Sequence, residues 1–330
     1  MSSFNGQTLG GGPWGLKEIA TVDSYECLFE PPCSDPPAGP PPFGRGEPFM
    51  TGDLSAKFIG RRAFELVSAL TGLDETISRQ LISFGSLWLD NRPQTDPEFA
   101  LKAGVFRLNL PAYGPKVFYE IDPNRIVYSD RDLMIYHKEA GRPSQGVPHD
   151  GQNNVLAAME RQTGLVLRLP HRLDAATSGF LILAVTRQAA GRLGKAFEKG
   201  RVAKRYLALC QGEPPNWTDK TTQTMIAKDG PRYVASTNGP GLRATTRFTV
   251  LGAAAGQSLF LAEPLTGRTH QIRVHLAFEG YPIIGDTFYG GAAGLRLMLR
   301  ASGLRLAHPG TGRMLVLGGP WSEEEITGPK

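Results

Sequence analysis

The sequence predicts an α+β protein: a mixed, mostly antiparallel sheet with flanking helices, preceded by a small α/β module. Three observations lead there. From Arg125 onward, strand-like and helical runs are mixed without a regular βαβ rhythm, which argues against a parallel sheet. The run FLILAV at 180–185 has the length and composition of a buried strand. Hydrophobic residues make up 41% of the 330-residue chain, enough for a sizeable core.

Taken in order, residues 1–53 read as a Pro/Gly-rich arm. Eight of the chain's 26 prolines fall within 31–48, and such a stretch loses backbone donors and buries little. Structure is expected to start near Leu54. Phe64, Leu66, Val67 and Leu70 recur at helical spacing over 61–71, with Gly72 as a stop. A second short helix fits 75–83. SLWLDNRPQ reads as a strand running into a turn, and GVFRLNL as another strand. Residues 54–115 therefore form one module. A larger domain, 120–325, follows. In it RIVYSDRDLMIYHK holds two strands around a polar turn, NVLAAMERQTG a helix, FLILAV a strand and RQAAGRLGKAFEKG a helix closed at Gly200. AKRYLALCQG, ATTRFTVLG and SLFLAEPL are strands, and THQIRVHLAFEG contains a helix.

Lys and Arg (36) outnumber Asp and Glu (31), a mild basic bias compatible with a polyanionic partner. Cys27, Cys33 and Cys210 make no disulfide framework and suggest a reducing compartment. The sequence shows neither an apolar run of the roughly 18 residues needed for a membrane span nor a secretory-signal pattern. The expectation is a cytoplasmic protein with no membrane contact, monomeric and without an obligate protein partner.

Candidate chemistry concentrates in three stretches. Asp174 lies in PHRLDAATSGFLILA, where a loop enters the buried strand. Asp, Ser and Gly are turn formers, so a turn and a mounted reactive carboxylate are both open. In TGRTHQIRVHLAFEGYPIIGD, His270 and Arg273 lie about one turn apart if the segment is helical. His270 and His275, five apart, fit zinc-ligand spacing poorly, and no cysteine cluster has zinc spacing, so no metal is expected. Between 187 and 205 lie Arg187, Arg192, Lys195, Lys199, Arg201, Lys204 and Arg205 against one acid, Glu198. Positions 188, 192, 195 and 199 share a helical face. That face is either a solvated surface or a track for a phosphate backbone.

These stretches together resemble the RluA-type family of pseudouridine synthases. HKEAGRPSQG, HRLDAATSGFLILA, AKRYLALCQG, GLRATTRFTVL and TGRTHQIRVHLAFEGYPIIGDTFYGG match its motifs in order, over roughly 125–320. ISRQLISFGSLWLDNRPQTDPEFALKAGVFRLNL resembles an S4 RNA-binding domain, with Arg79, Arg92, Lys102 and Arg107 as candidate phosphate contacts. The family resemblance implies a central cleft in which a uridine of RNA is isomerised to pseudouridine without a cofactor. It implies Asp174 as the catalytic aspartate, Arg273 as its basic partner, and Tyr206 as the tyrosine that packs on the target base and helps remove the C5 proton. Arg172 would fill the space of the flipped nucleotide. His171 is expected both to help fix the loop and, with Arg268, His270, Lys204, Arg205, Arg192, Lys195 and Lys199, to line the RNA path. The S4-like module tilts the substrate toward ribosomal RNA over transfer RNA.

Three departures from the family pattern stand out: Ala175-Ala176 after the aspartate, Glu139 where proline usually follows Lys138, and Leu299-Arg300-Ala301 near the end. Two other classes stay open. One is a catalytically silent RNA-binding protein that helps RNA fold. The other is a glycosidase, which needs two carboxylates roughly 5–10 Å apart, with Asp286 as the second candidate.

Overall fold

The computed structural model describes residues 50–109, 118–147, 150–214, 218–319 and 321. Most of the proline-rich arm, with Cys27 and Cys33, lies outside them. The last four residues assigned to the arm form strand β1 (Met50–Asp53), which pairs antiparallel with β4 (Val105–Leu108). Structure thus begins before Leu54, because β4 offers ladder donors and acceptors that this segment satisfies.

Helix α1 (Ala63–Thr71) buries Leu66 and Val67 and stops at Gly72, whose φ of 73° suits glycine. Helix α2 (Glu75–Ser83) is capped by Asp74, whose carboxylate accepts from the Ile77 N–H at 2.8 Å. Strands β2 (Leu87–Leu89) and β3 (Arg92–Gln94) form a hairpin, where the sequence suggested one strand and a turn. Asp90 and Asn91 both have positive φ (47° and 62°), the two-residue turn geometry whose twist suits a tight hairpin. The small sheet runs β1-β4-β2-β3. It meets the larger domain at Phe84: its carbonyl accepts from the Gly151 N–H at 2.6 Å, and its ring stacks on Phe118 at 4.6 Å.

The large domain is one ten-stranded sheet. Its strands are β5 (Ile126–Ser129), β6 (Leu133–Lys138), β7 (Ser178–Ala184), β8 (Ala203–Gln211), β9 (Asp219–Asp229), β10 (Arg232–Ser236), β11 (Leu242–Ala254), β12 (Gln257–Pro264), β13 (Leu299–Ala307) and β14 (Met314–Gly318). The order is β10-β9-β11-β12-β8-β13-β7-β6-β5, with β14 on β13. Among the described pairs only β13 with β7 is parallel, so the sheet is mixed and mostly antiparallel, as expected. Helices α3 (Val155–Thr163), α4 (Arg187–Glu198) and α5 (Gln271–Phe278) flank it. Apolar clusters lie on both faces: Leu181 and Leu183 of β7 pack with Met159 of α3, while Phe180, Ile182 and Ala184 pack with Leu193 of α4.

Strands β9, β10, β13 and β14 were not marked by an apolar pattern. In β9 the inward positions are Thr222, Thr224 and Ile226, and two of these three count as polar in a hydropathy reading. The parallel β7–β13 contact depends on Gly179. Its φ is 110°, and a Cβ there would sit 2.1 Å from the Ala301 carbonyl oxygen.

Candidate active site

The loop before β7 is indeed a turn. The Asp174 carbonyl accepts from the Thr177 N–H at 3.0 Å, and Thr177 and Ser178 are buried. Ala175 anchors the loop through its carbonyl, which accepts from the Gly141 N–H (2.8 Å) and from Lys138 Nζ (3.0 Å). Lys138 is fully buried and also donates to the carbonyls of Glu139 and Arg142, both at 2.8 Å. Burial pushes its amine down to about 7, while Glu139 and Asp174 oppose that shift. Three carbonyl acceptors occupy all three N–H bonds of an ammonium, so the geometry favours the charged form. The loop after Asp174 is thus anchored through the Ala175 backbone, which does not require a polar side chain there.

Glu139, which replaces a proline common in the resembled motif, is buried as well. Its carboxylate accepts from the hydroxyls of Tyr119 and Tyr136, each at 2.9 Å, and lies 3.5 Å from Arg125. Both phenols are pushed upward, first by burial.

Three segments far apart in sequence converge on Asp174. Its side chain is 31% exposed, at the sheet end where β7 begins. Arg273, in the first turn of α5, is 10% exposed and reaches Asp174 Oδ2 with Nη1 at 3.5 Å. The other two nitrogens of that guanidinium, Nε and Nη2, donate to Asp286 Oδ2 and Oδ1, each at 2.7 Å. Asp286 is 2% exposed. Desolvation works against the Arg273 cation, but the bonds to Asp286 and the charges of Asp286 and Asp174 outweigh it and raise its pKa. Asp286, the second carboxylate of the glycosidase reading, stands in a turn, where its carbonyl accepts from the Tyr289 N–H at 3.0 Å, and its buried carboxylate serves as the brace of Arg273. A signal was present, since Asp286 closes the same motif that contains Arg273, but the fork itself is a tertiary contact.

His270 lies in the left-handed region (φ 56°) at the start of α5. Its Nε2 is 3.7 Å from Asp174 Oδ2, and its Nδ1 is 2.7 Å from the Tyr289 hydroxyl. Tyr206, on β8, packs between the two apolar clusters. Burial first, then the Asp174 carboxylate, raise its phenol, so the neutral hydroxyl is favoured and a phenolate base is not.

The other expected contacts divide in two. Arg172 and Arg268 are exposed beside this centre, and Arg268 donates from Nε to the Arg243 carbonyl at 3.0 Å. Lys195, Lys199, Arg187 and Arg201 are exposed along and just beyond α4. This helix abuts the Asp174 loop, because Phe197 stacks on His171 at 4.6 Å. Arg92 and Lys102 are exposed in the N-terminal module.

Four residues named for the RNA path are engaged by protein partners, although Arg192 is exposed and Arg79 partly so. His171 accepts the Ile182 N–H on Nε2 at 3.0 Å, and burial pushes its pKa down to about 3, so it is a neutral loop support. Arg205 is buried against Glu263 at 2.8 Å with its guanidinium over the Trp321 ring. Arg79 is held by Glu75 and Glu98 and lies over the Phe64 ring. Arg192 donates to the Pro309 carbonyl. Lys204 is intermediate: it is partly buried, its Nζ is 3.5 Å from the Thr266 carbonyl, and desolvation lowers its pKa. Arg107, also named for phosphate, lies over the Trp88 ring.

His275, the other histidine of the poorly spaced pair, points away to Thr224 and Thr246 (2.9 Å each). Among the described residues, Asp130, Asp132 and His308 approach metal-ligand spacing. Their donors are engaged within the protein, since His308 Nε2 meets Asp130 at 2.6 Å and its Nδ1 accepts from the N–H groups of Gly310 and Thr311.

Residues 132–278 match the family model described as RNA pseudouridylate synthase. The chain is 35% identical over 300 residues to the ribosomal large subunit pseudouridine synthase C of Vibrio cholerae, covering 81% of this chain and 92% of that one. It is 30% identical over 303 residues to the protein of the same name from Escherichia coli K12, covering 82% and 92%. Among solved structures, human RNA pseudouridylate synthase domain containing 1 superposes with a TM-score of 0.51 at 28% identity, covering 59% of this chain and 82% of that one.

Proposed function

Because this chain belongs to the RluA-type family of RNA pseudouridine synthases, we propose that Asp174 is the carboxylate through which it isomerises uridine and that its substrate is large-subunit ribosomal RNA. The enzyme is an isomerase acting on RNA. The N1–C1′ bond of the target uridine breaks, the uracil turns, and C5 bonds to C1′. The C5 proton leaves and N1 gains one, so the atoms balance without a cofactor.

The observation that carries the assignment is the Asp174–Arg273 approach at 3.5 Å, with Arg273 fixed from behind by Asp286. A cation already fixed opposite the carboxylate needs no reorganisation as the uridine reacts. Tyr206 supplies a neutral aromatic wall for the uracil. Arg172, exposed on the same loop, fills the gap left by the flipped base. The exposed cations of α4 lead the phosphate backbone toward the loop.

Ribosomal RNA is favoured by the likeness to the ribosomal large subunit synthases and by the N-terminal module. Residues 54–115 serve as an S4-like RNA-binding module and 120–325 as the catalytic domain of a cytoplasmic monomer that needs no protein partner. No helix among the described residues is long and apolar enough to cross a membrane.

Pseudouridine mapping in ribosomal and transfer RNA from cells with and without the gene tests this reading. A site in large-subunit RNA should disappear with the gene and return with the wild-type chain, but not with Asp174→Asn. Loss of a transfer-RNA site instead would overturn the substrate, and return of the site with Asp174→Asn would overturn the catalytic role. No pseudouridine difference at all would favour a silent RNA-binding protein.

A further inference from the structure

Asp174 has two neighbours on a single oxygen. Arg273 Nη1 approaches Oδ2 at 3.5 Å, and His270 Nε2 approaches the same oxygen at 3.7 Å. We propose that His270 is a positioning residue which, with Arg273, holds Asp174 Oδ2 and leaves Oδ1 as the oxygen that meets the uridine. The proposal rests on Asp174 being the catalytic carboxylate.

The imidazole is placed for this from three sides. Its backbone occupies the left-handed region, uncommon for a residue other than glycine and a conformation often found at functional sites. Its side chain makes no capping bond to α5, although it stands at the cap position. The rings of Tyr233, Phe288 and Tyr289 surround it edge-on, with centroids 5.6, 6.1 and 5.6 Å away.

One tautomer serves both neighbours of the ring. In it the Tyr289 hydroxyl, whose oxygen accepts from the Tyr233 N–H at 3.2 Å, donates its proton to His270 Nδ1 at 2.7 Å. The imidazole proton then sits on Nε2, facing Asp174. At 3.7 Å this is an approach and not yet a hydrogen bond. Such contacts tighten when substrate closes the site.

The test uses the full chain and two readouts. Nitrogen-15 NMR of the imidazoles reports the tautomer without RNA. Turnover is measured on total RNA from cells lacking the gene, so the assay does not presuppose which RNA is modified. His270→Asn keeps a side chain that tolerates the left-handed backbone, and Tyr289→Phe removes one hydroxyl.

The expected results are an Nε2–H tautomer in the wild type and a shift toward Nδ1–H in Tyr289→Phe. In His270→Asn, kcat should fall roughly 10- to 100-fold with KM unchanged, the size of one hydrogen bond to a charged group. Tyr289→Phe should lower kcat less, and the double variant should be no worse than His270→Asn. An Nδ1–H tautomer in the wild type, unchanged turnover in His270→Asn, or additive losses would overturn the proposal. If His270→Asn does not fold, the tautomer and Tyr289→Phe still decide it. Asp174→Asn is run alongside: full activity there removes the catalytic assignment, whereas an inactive Asp174→Asn beside a fully active His270→Asn removes only the role of His270.

Discussion

Arg273 and Asp286 form a two-bond fork, Nε to Oδ2 and Nη2 to Oδ1 at 2.7 Å each, and the third guanidinium nitrogen is the one turned to Asp174. The cation facing Asp174 is therefore aimed by a second, buried carboxylate. An arginine with its plane fixed on one side presents its remaining N–H groups in one direction only. It also argues against the glycosidase reading, because Asp286 is 2% exposed and both its oxygens accept from Arg273.

Asp174→Asn is expected to abolish pseudouridine formation while RNA binding persists. The substitution keeps shape and removes charge, and the Thr177 turn bond uses the Asp174 main chain. Turnover and filter binding measured on one preparation check both halves.

Asp286→Ala should damage stability and activity together. It leaves the Arg273 guanidinium, 10% exposed, without its main partner, a loss of about 3–5 kcal/mol for a broken buried pair. Urea unfolding and turnover should both change, and a stable variant of normal activity would contradict the bracing role.

Acid should destabilise the fold through its neutral histidines. Burial pushes His275 down to about 4 and His171 to about 3. The unfolded chain takes up a proton on each near pH ~6.5 and the folded chain does not, so the unfolded state binds more protons in that window. Their stabilising effect is fully present above about pH 6.5 and is lost as pH falls toward the folded values. His275, which is 0% exposed, should contribute a slope of up to about 1.4 kcal/mol per pH unit. Urea midpoints at neutral and mildly acid pH, compared with those of His275→Gln, measure it: the variant should have the flatter profile.

Lys195→Ala and Lys199→Ala are expected to weaken RNA binding and to flatten its salt dependence. Each lost phosphate contact should reduce the log–log slope by about 0.7–0.9. Arg205→Ala should behave differently, lowering thermal stability through loss of the Glu263 pair and the Trp321 stack while leaving the salt slope unchanged. Equal slopes for Lys199→Ala and wild type would remove α4 from the RNA path.

The sequence by itself determined the helices and several of the strands, and it marked the positions of the candidate groups. Helical spacing and glycine stops located α1, α2, α3 and α4 to within a residue or two, since these depend on contacts three or four residues apart. Asp174, Tyr206 and Arg273 could be proposed because their surrounding motifs are contiguous. What only the tertiary structure decided is which charges remain available. Arg205, Arg79 and His171 read as RNA contacts, yet each is engaged by a partner or packing surface from another element. Strands β9 and β13 stayed hidden because two of the three inward positions of one are threonines, and the other is held between β7 and β8, about a hundred residues away. The Asp174–Arg273 approach joins residues 99 positions apart. The physical reason is common to all three: pairing, burial and desolvation belong to neighbours in space, and local sequence records only the residue types from which those neighbours are drawn.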